Sequence, residues 1–489
     1  METKDKNGDL ISSLPEPIIH HILSWIDMKY VVQMSILSRR WRDLWAHVPH
    51  LNFDHELFPD EGNNKSYFLD FVDRVMSARD GFTIQRFQLF GGCYCDFDRI
   101  NSWIGVAVRC NVQELHVIVN VSTRQPVVML PHLLFTCKSL RVLKLDLGSN
   151  SKRPQLILPD SSALTGLKTL HLGSFSLVDG ELASKFFSSC PVLEKLIITN
   201  CNLMTTKDLH ISSLLLKKLM IEISVEDHKS FDHIQDFNGL TGCKIKICAP
   251  NLTSFRCRDN MARDYVLENI CSLYNADIDL FLENHLDNEL TTLPSESREE
   301  HAKYVVDWLR RLYDVKALSL SSMFIWVISE VRGIIEGGLP VPFSDLRYLK
   351  VKTRLYTDSI RGILYLLKRC PGVESLVFEI AGKNYLLSPI YQSWDEEKLN
   401  IPTKLYWESL FPLQCSLYRL KSVEIWNFFG YMHEVILLKF LLKNAAALEK
   451  LVIHTSDEWK YDADNRLIKF GEDLQTFPRA SPRVQTLLF

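Results

Sequence analysis

Long hydrophobic runs and a surplus of charge are both absent from this 489-residue sequence. Its longest apolar stretches, Met323 to Ile328 and Val435 to Leu442, are too short to cross a bilayer, and Lys439 interrupts the second. A net charge of −3 leaves no basic surplus that would attract nucleic acid. Residues 1–8 are charged and lack the apolar core of a signal peptide. We therefore expect a soluble intracellular protein, in the nucleus, the cytoplasm or both, that binds neither nucleic acid nor membranes.

Sequence signatures of enzymes and metal sites are also missing. The chain has no G-x-S-x-G, no Walker-type phosphate loop, no G-x-G-x-x-G and no H-E-x-x-H. Cys93 and Cys95 form the only close cysteine pair, and no second pair or histidine set follows them at zinc spacing. We therefore expect no catalytic residue, no metal and no cofactor.

An apolar triplet with offsets 0, +3 and +5 recurs along the chain. The first positions of its first six copies lie between 23 and 28 residues apart. Positions +3 and +5 of a strand point to the same face, so each unit can bury its triplet against its neighbours. These six copies are Ile84/Phe87/Leu89, Val112/Leu115/Val117, Leu140/Leu143/Leu145, Leu167/Leu170/Leu172, Leu193/Leu196/Ile198 and Leu216/Leu219/Ile221. The period predicts a solenoid of stacked strand units.

Later copies are spaced less regularly, because insertions separate them. Leu273/Ala276/Ile278 is a poor match to the pattern. The other later copies are Leu252/Phe255/Cys257, Val315/Leu318/Leu320, Leu346/Leu349/Val351, Val373/Leu376/Phe378, Leu420/Val423/Ile425 and Leu448/Leu451/Ile453. The pattern resembles leucine-rich repeats, and that resemblance implies parallel strands on a concave face with helices or irregular segments behind them.

The cysteines fit the repeats better than they fit a disulfide or metal framework. Cys137, Cys190 and Cys370 each lie three residues before the first position of a triplet. A small, partly apolar thiol suits a tight turn into a strand, and thiols stay reduced inside the cell.

The first fifty residues carry a helical pattern instead. Ser13 can cap a helix that has Pro15 in its first turn and an apolar face of Ile18, Ile19, Ile22 and Leu23. Tyr30 to Leu37 forms a second apolar stretch. Ser38 can cap a third helix, which Pro49 ends and whose apolar residues are Trp41, Leu44, Trp45 and Val48. About forty residues rarely fold alone, so this segment should rest on its own chain, on a partner or on both.

This ordered pattern resembles the F-box family. The matching residues are Leu14-Pro15, Ile18, Ile22, Leu23, Val31-Val32, Ser35, Leu37, Ser38 to Arg42, Leu44-Trp45 and Val48 to Phe53. The resemblance implies that residues 8–53 bind a Skp-type adaptor and, through it, a cullin. The contact residues that it implies are Leu14, Pro15, Ile18, Ile22, Leu23, Val32, Trp41 and Trp45, although the two tryptophans can also serve to hold the helices together.

The end of the chain carries a second family signal. Residues 420–425, 434–444 and 447–453 predict a strand, an amphipathic helix and a strand. This arrangement resembles the FBD region that follows the repeats in a class of plant F-box proteins. The expected fold is therefore α/β: a three-helix F-box at residues 8–53, leucine-rich repeats at 80–400 and an FBD-like cap at 401–489.

Recognition residues are expected at the +4 position of the repeats, which faces the concave surface. His116, Lys144, His171, Arg256 and Lys350 occupy this position and form a partly basic strip. Such a strip favours an acidic or phosphorylated segment. The alternative is that these charges only keep the solenoid soluble.

Two insertions compete with the strip as binding surfaces. Residues 283–301 predict an exposed acidic loop, and residues 381–412 are rich in aromatic side chains for a loop.

The resemblance implies a non-catalytic substrate-recognition subunit of an SCF-type ubiquitin ligase, which directs an unknown protein substrate to degradation. The alternative is a repeat scaffold that binds a partner protein or a small ligand without promoting its turnover.

Overall fold

The protein divides into two compact units in a computed structural model of the chain. The first unit contains residues 1–252 and 262–271, and the second contains 253–261 and 272–489. The structure describes residues 14–37, 41–42, 44–58, 65–79, 81–121, 127–148, 153–160, 162–203, 208–223, 244–260, 264–281, 295–330, 342–353, 355, 357–380, 417–456 and 465–489.

The first unit begins with three short helices, as the sequence predicts. They are α1 (Glu16–Leu23), α2 (Met28–Met34) and α3 (Leu44–His47). Pro15 precedes α1, where its missing N–H costs nothing, and the Asp27 carboxylate caps α2 by accepting from the Lys29 N–H. The third helix is shorter than the pattern predicted, because Trp41 and Arg42 lie in a turn before it.

A parallel sheet forms the main part of the first unit. The described strands of this sheet, in spatial order, are β1 (His50–Asp54), β2 (Arg86–Cys95), β3 (Glu114–Val121), β5 (Val142–Asp146), β7 (Thr169–Gly173), β8 (Lys195–Thr199) and β10 (Lys218–Glu222). The helices between them are α4 (Lys65–Ser77), α5 (Phe97–Arg109), α6 (His132–Phe135) and α7 (Gly180–Ser188).

Two smaller parallel sheets also belong to the first unit, and the triplet pattern did not predict them. One pairs β4 (Val127–Met129) with β6 (Gln155–Ile157). The other has β11 (Lys244–Cys248) between β9 (Asp208–Ser212) and β13 (Asp264–Glu268). The buried residues of these three strands alternate with exposed or half-buried ones, which is the period-two signal of a strand with one covered face.

Parallel strands also form the main part of the second unit. Its described strands are β12 (Ser254–Asn260), β14 (Asn275–Phe281), β15 (Ala317–Leu320), β16 (Tyr348–Thr353), β17 (Ser375–Ile380), β18 (Ser422–Phe428), β19 (Lys450–Thr455) and β20 (Gln485–Leu488). Its described helices are α8 (Ser295–Arg311), α9 (Ser322–Glu330), α10 (Thr357–Lys368), α11 (Met432–Asn444) and α12 (Asn465–Thr476). The predicted strand, helix and strand of the tail are β18, α11 and β19.

The apolar triplets form the core of both units, which confirms the repeat architecture. Every residue of the thirteen predicted triplets is at most 7% exposed. The poor match Leu273/Ala276/Ile278 also belongs to a full strand, β14. One triplet was missed: Val48, Leu51 and Phe53 have the same spacing, are fully buried, and place β1 beside β2.

The cysteines of the turns are buried thiols. Cys137, Cys190 and Cys370 are all buried, and burial raises the pKa of Cys190 to about 11 because it disfavours the thiolate. The side chains of Cys93 and Cys95 lie outside the described part of the chain.

One predicted loop is partly wrong. Residues 295–301, which were expected to belong to an acidic loop, form the first turns of α8. Pro294 precedes this helix in the sequence and acidic residues follow in its first turns, an arrangement that the helix dipole favours. The composition of the same residues is also typical of an exposed loop, which is why a loop was expected. Residues 283–294 and the aromatic insertion 381–412 lie outside the described residues.

Candidate protein-binding surfaces

The predicted adaptor contacts divide into exposed and buried side chains. Pro15, Ile18 and Ile22 are exposed, while Leu23 and Trp41 are buried. The remaining three, Leu14, Val32 and Trp45, are half-buried. The structure therefore separates residues that can contact a partner from residues that hold the helices together.

Further apolar side chains are exposed on the same segment, and the sequence analysis missed them as contacts. Ile18, Ile22 and Trp25 follow each other at i, i+4 and i+7, which is one face of a helix. Ile36 and Leu37 follow the end of α2. The exposed fractions are 47% for Ile18, 43% for Ile22, 77% for Trp25, 86% for Ile36 and 72% for Leu37. We call these five residues the apolar surface.

The segment that carries the apolar surface is fixed to the rest of the first unit by polar contacts. The Asp27 carboxylate accepts from the N–H of Lys29 at 2.8 Å and from the N–H of Asp54 at 3.0 Å. Burial raises the pKa of Asp27 to about 6, although the two backbone donors oppose this shift. The Lys29 ammonium donates to the carbonyl of Leu57. The N-terminus of α2 is thereby bonded to β1 and to the turn after it.

Arg79 forms a further polar contact in the same region. Its guanidinium is buried, and its Nη2 donates to the Val48 carbonyl at 2.6 Å, just before β1 begins. Burial lowers the pKa of Arg79 to about 10, because desolvation disfavours the charged guanidinium. This hydrogen bond connects the end of α4 to the residues just before β1.

Three of the predicted recognition residues lie in one row across the first unit. The strand register joins Gln88, His116, Lys144 and His171 on four neighbouring strands, β2, β3, β5 and β7. This row lies on the face opposite the buried triplets, as the +4 position predicts.

The two histidines of this row carry little positive charge. His116 is only 7% exposed, and its Nδ1 lies 2.9 Å from the amide nitrogen of Gln88. Burial, together with the charge of Lys144, lowers its pKa to about 4. Burial also lowers the pKa of His171, whose Nε2 lies 2.7 Å from Thr199 Oγ1. The positive charge of the row therefore comes from Lys144.

The other two predicted residues lie in a row of the second unit. The register there joins Arg256, Asp277, Ser319 and Lys350 on β12, β14, β15 and β16. Arg256 Nε lies 3.1 Å from Asp277 Oδ2, and Lys350 Nζ lies 2.6 Å from Glu379 Oε2. Both cations therefore form ion pairs with carboxylates of the same face. The spacing of the +4 positions did not predict these ion pairs.

The same face of the second unit carries three stacked rings. Trp426 on β18 and His454 on β19 have ring centroids 3.7 Å apart and planes 10° from parallel. Phe489 follows β20, and its ring lies 5.4 Å from that of His454 at 17°. The sequence pattern did not predict this stack, because the partners of a stack across strands depend on the register.

The described residues show no arrangement for metal binding and no membrane-crossing helix. Within the described ranges, no group of three or more His, Cys, Asp or Glu side chains could hold a metal ion. None of the helices in that part of the chain is long and apolar enough to cross a membrane.

Comparison with known proteins identifies three family regions. The F-box domain model matches residues 11–52, the model of the LRR repeats of the FBD-associated F-box protein At5g56370 matches 100–273, and the FBD model matches 408–453. F-box domains generally bind Skp1-type adaptors, and F-box/LRR proteins are generally non-catalytic.

Full-length similarity supports the same assignment. The F-box/LRR-repeat protein At4g14096 of Arabidopsis thaliana is 30% identical over 380 residues, which cover 76% of this chain and 73% of that protein. The F-box/FBD/LRR-repeat protein At1g78750 of the same plant is 28% identical over 492 residues, which cover 98% of this chain and 96% of that protein. This chain belongs to the plant F-box/LRR-repeat family with a C-terminal FBD region.

Proposed function

We propose that this protein is the substrate-recognition subunit of an SCF-type ubiquitin ligase and directs the ubiquitination and degradation of a protein substrate. Its helical N-terminal segment binds a Skp-type adaptor, which connects it to a cullin and a ubiquitin-conjugating enzyme. Catalysis of ubiquitin transfer belongs to those other subunits. This chain contributes proximity, because holding the substrate in the complex raises the effective concentration of its lysines.

The apolar surface is the observation that carries this proposal. Ile18, Ile22, Trp25, Ile36 and Leu37 are exposed on α1 and on the turns that follow α1 and α2, and polar contacts hold this segment in place. Burying a fully exposed large apolar side chain stabilises a complex by about 2 kcal/mol, and these five are partly covered already, so together they supply about 6 kcal/mol before the cost of association. Large exposed apolar patches mark protein interfaces.

We propose the domain boundaries 8–53 for the F-box, 80–400 for the repeats and 401–489 for the FBD-like region. The strand β1 lies at residues 50–54 and pairs with β2, so the end of the F-box is also the first strand of the sheet. Deleting residues 1–53 would therefore damage the sheet as well as the adaptor contact.

We propose that the substrate contacts the sheet face opposite the triplets. His116, Lys144 and His171 form the row of the first unit on this face, and Arg256 and Lys350 belong to the row of the second. Lys144 is the lysine of these rows for which the described residues contain no ion pair, so its charge is available to a partner.

Point substitutions test the adaptor contact without removing a strand. The double variant Ile22→Asp with Trp25→Asp places charges on the apolar surface, and Leu214→Asp, at a residue 73% exposed elsewhere in the first unit, is the matched control. Each tagged chain is expressed in plant cells and its co-purified Skp-type adaptor and cullin are quantified. We expect both proteins with the wild type and with Leu214→Asp, and at least a tenfold loss, about 1.4 kcal/mol, with the double variant.

Three other outcomes would contradict different parts of this proposal. Equal recovery of the adaptor with all three chains contradicts the assignment of the apolar surface. Absence of the adaptor and cullin from the wild type contradicts the ligase role. Adaptor binding together with an unchanged lifetime of the captured partner supports the scaffold alternative.

A further inference from the structure

The stack of Trp426, His454 and Phe489 is built on the solvent face of the second unit. Trp426 is 41% and Phe489 is 64% exposed, while the opposite face of the same strands buries the triplet residues Val423 and Ile425. The rings therefore add nothing to the core that the triplets already form. Two exposed rings, with the half-buried ring of His454 between them, present an aromatic surface to a partner.

Trp426 is held at an irregular point of its strand. The pairing of β18 with β19 shifts register between Ile425 and Phe428, and Asn427 has φ +57°. The Asn427 side-chain amide donates to the Ile380 carbonyl at 3.1 Å, which fixes the bulge against β17. Bulges re-aim a side chain next to functional sites, and this one leaves Trp426 exposed with one ring face against His454.

A carboxylate with a weak partner lies beside the rings. Glu424 is two residues before Trp426 on the same face, and its Oε1 lies 3.3 Å from His454 Nε2. Within the described residues this imidazole is the only ion-pair partner of Glu424, and it is charged only when protonated. Glu379 lies opposite Trp426 on β17 and is paired with Lys350 at 2.6 Å. Glu424 is therefore the carboxylate beside the stack for which the described residues show no ion pair with a lysine or arginine.

Three cations of this face are paired with the aspartates of β14. Lys352 Nζ lies 3.1 Å from Asp279 Oδ2 and 3.8 Å from Asp277 Oδ1. Arg256 and Arg258 pair with the same two aspartates. These three cations are thus occupied. A cationic partner would meet both Glu424 and an aromatic face.

We propose that Trp426, His454, Phe489 and Glu424 form a site for an arginine or lysine side chain of the protein that this chain binds. That this bound protein is a ligase substrate rests on the proposed function. A guanidinium or ammonium group is attracted to aromatic faces. The planar guanidinium of arginine also stacks on a ring while donating to a carboxylate, so arginine is the preferred occupant. The site takes a basic segment, whereas the row containing Lys144 favours an acidic one.

A random peptide display tests this chemistry directly. Nonamer peptides are selected against four purified full-length chains: the wild type, Glu424→Gln, Trp426→Leu and the control Glu222→Gln, whose carboxylate lies at the end of β10 in the first unit. Glu424→Gln keeps the size of the side chain and removes its charge, and Trp426→Leu keeps an apolar side chain and removes the ring. The frequency of arginine plus lysine at each peptide position is compared with the input library.

We expect arginine and lysine to be enriched about fivefold at one position with the wild type and Glu222→Gln, and to approach the input frequency with Glu424→Gln and Trp426→Leu. Replacing the selected arginine by uncharged citrulline should weaken binding to the wild type about fivefold. Absence of basic enrichment with the wild type, or equal enrichment with all four chains, overturns the proposal.

Adaptor binding by the same four chains separates this proposal from the ligase role. A chain that enriches basic peptides but captures no adaptor contradicts the ligase role and supports the cation site. Chains that capture the adaptor equally but show no basic enrichment support the ligase role and overturn the cation site.

Discussion

The carboxylate of Asp27 accepts a hydrogen bond from the backbone N–H of Asp54 at 3.0 Å. Asp27 caps the first turn of α2, and Asp54 is the last residue of β1, so one side chain joins the F-box helices to the sheet. The repeat array and the F-box helices therefore share a structural element. A segment too short to be stable alone gains its stability from the strand that follows it.

Removing the Asp27 carboxylate should loosen the helical segment. Asp27→Ala loses the cap of α2 and leaves the Asp54 N–H without its acceptor, at a cost of about 2 kcal/mol. Asp96→Ala is the control, because Asp96 caps α5 through the Asp98 N–H alone, and its loss should cost about 1 kcal/mol. Limited proteolysis of residues 14–58 measures the effect. Equal cleavage of this segment in both variants would contradict the role of the Asp27–Asp54 bond.

Two glycine substitutions should have opposite effects on stability. A Cβ at Gly362 in α10 would collide with the Ile325 carbonyl oxygen of α9, so Gly362→Ala should destabilise the second unit by about 1–3 kcal/mol. A Cβ at Gly105 in α5 would meet only Arg109 Nη1 at 3.5 Å, so Gly105→Ala should stabilise α5 by about 0.5–1 kcal/mol. Urea midpoints measure both effects, and the same sign for both would refute this packing.

The buried carboxyl of Glu434 should make stability depend on pH. Glu434 Oε2 accepts from the N–H groups of Phe429 at 2.8 Å, Gly430 at 2.7 Å and Tyr431 at 3.3 Å. Burial raises its pKa to about 8, against the opposing effect of these donors. The folded state keeps the proton up to that pH, whereas the unfolded chain loses it near pH 4.5. The free energy of unfolding should therefore decrease as the pH rises from 4.5 to about 8.

Glu434→Gln removes the titration and keeps an acceptor for the three N–H groups. We expect the urea midpoint of the wild type to fall relative to that of Glu434→Gln as the pH rises from 5 to 8. A constant difference between the two proteins over this range would show that Glu434 does not titrate in it.

Charge reversal tests the recognition rows. Lys144→Glu together with Arg256→Glu should change the set of proteins captured from plant extract, because Lys144 offers its charge and Arg256 shares Asp277 with Lys352. Lys185→Glu, on the exposed side of α7, is the control. The captured proteins are identified and quantified by mass spectrometry. The same protein profile with all chains would eliminate the rows as the recognition surface.

Most of the fold could be predicted from the sequence because the triplets repeat a simple physical requirement. Each unit must bury three apolar side chains at fixed offsets, and the strands follow from them. The triplet of Val48, Leu51 and Phe53 obeys the same rule. It was missed because these residues also match the end of the F-box pattern, and one stretch of chain belongs to both elements.

The surfaces were predicted less completely, because exposure depends on neighbours that are distant in the sequence. His116 occupies an outward position of its strand, yet the strands on either side bury it against Gln88. Arg256 and Lys350 read as free cations until the register places Asp277 and Glu379 beside them. The stack of Trp426, His454 and Phe489 likewise joins residues from three strands. The F-box pattern predicted the exposed Ile18 and Ile22 as contact residues. It did not predict the exposed Trp25, because Trp25 lies beyond the end of α1.

Reconstituted ubiquitin transfer tests the central claim most directly. The purified chain is combined with a Skp-type adaptor, a cullin complex, the conjugating enzyme and a protein partner captured by the wild type, and ubiquitin conjugates of that partner are quantified. We expect conjugates with the wild type and with Leu214→Asp, and their loss with Ile22→Asp plus Trp25→Asp while the partner remains bound. Equal conjugation with all three chains, or none with the wild type, would contradict the account.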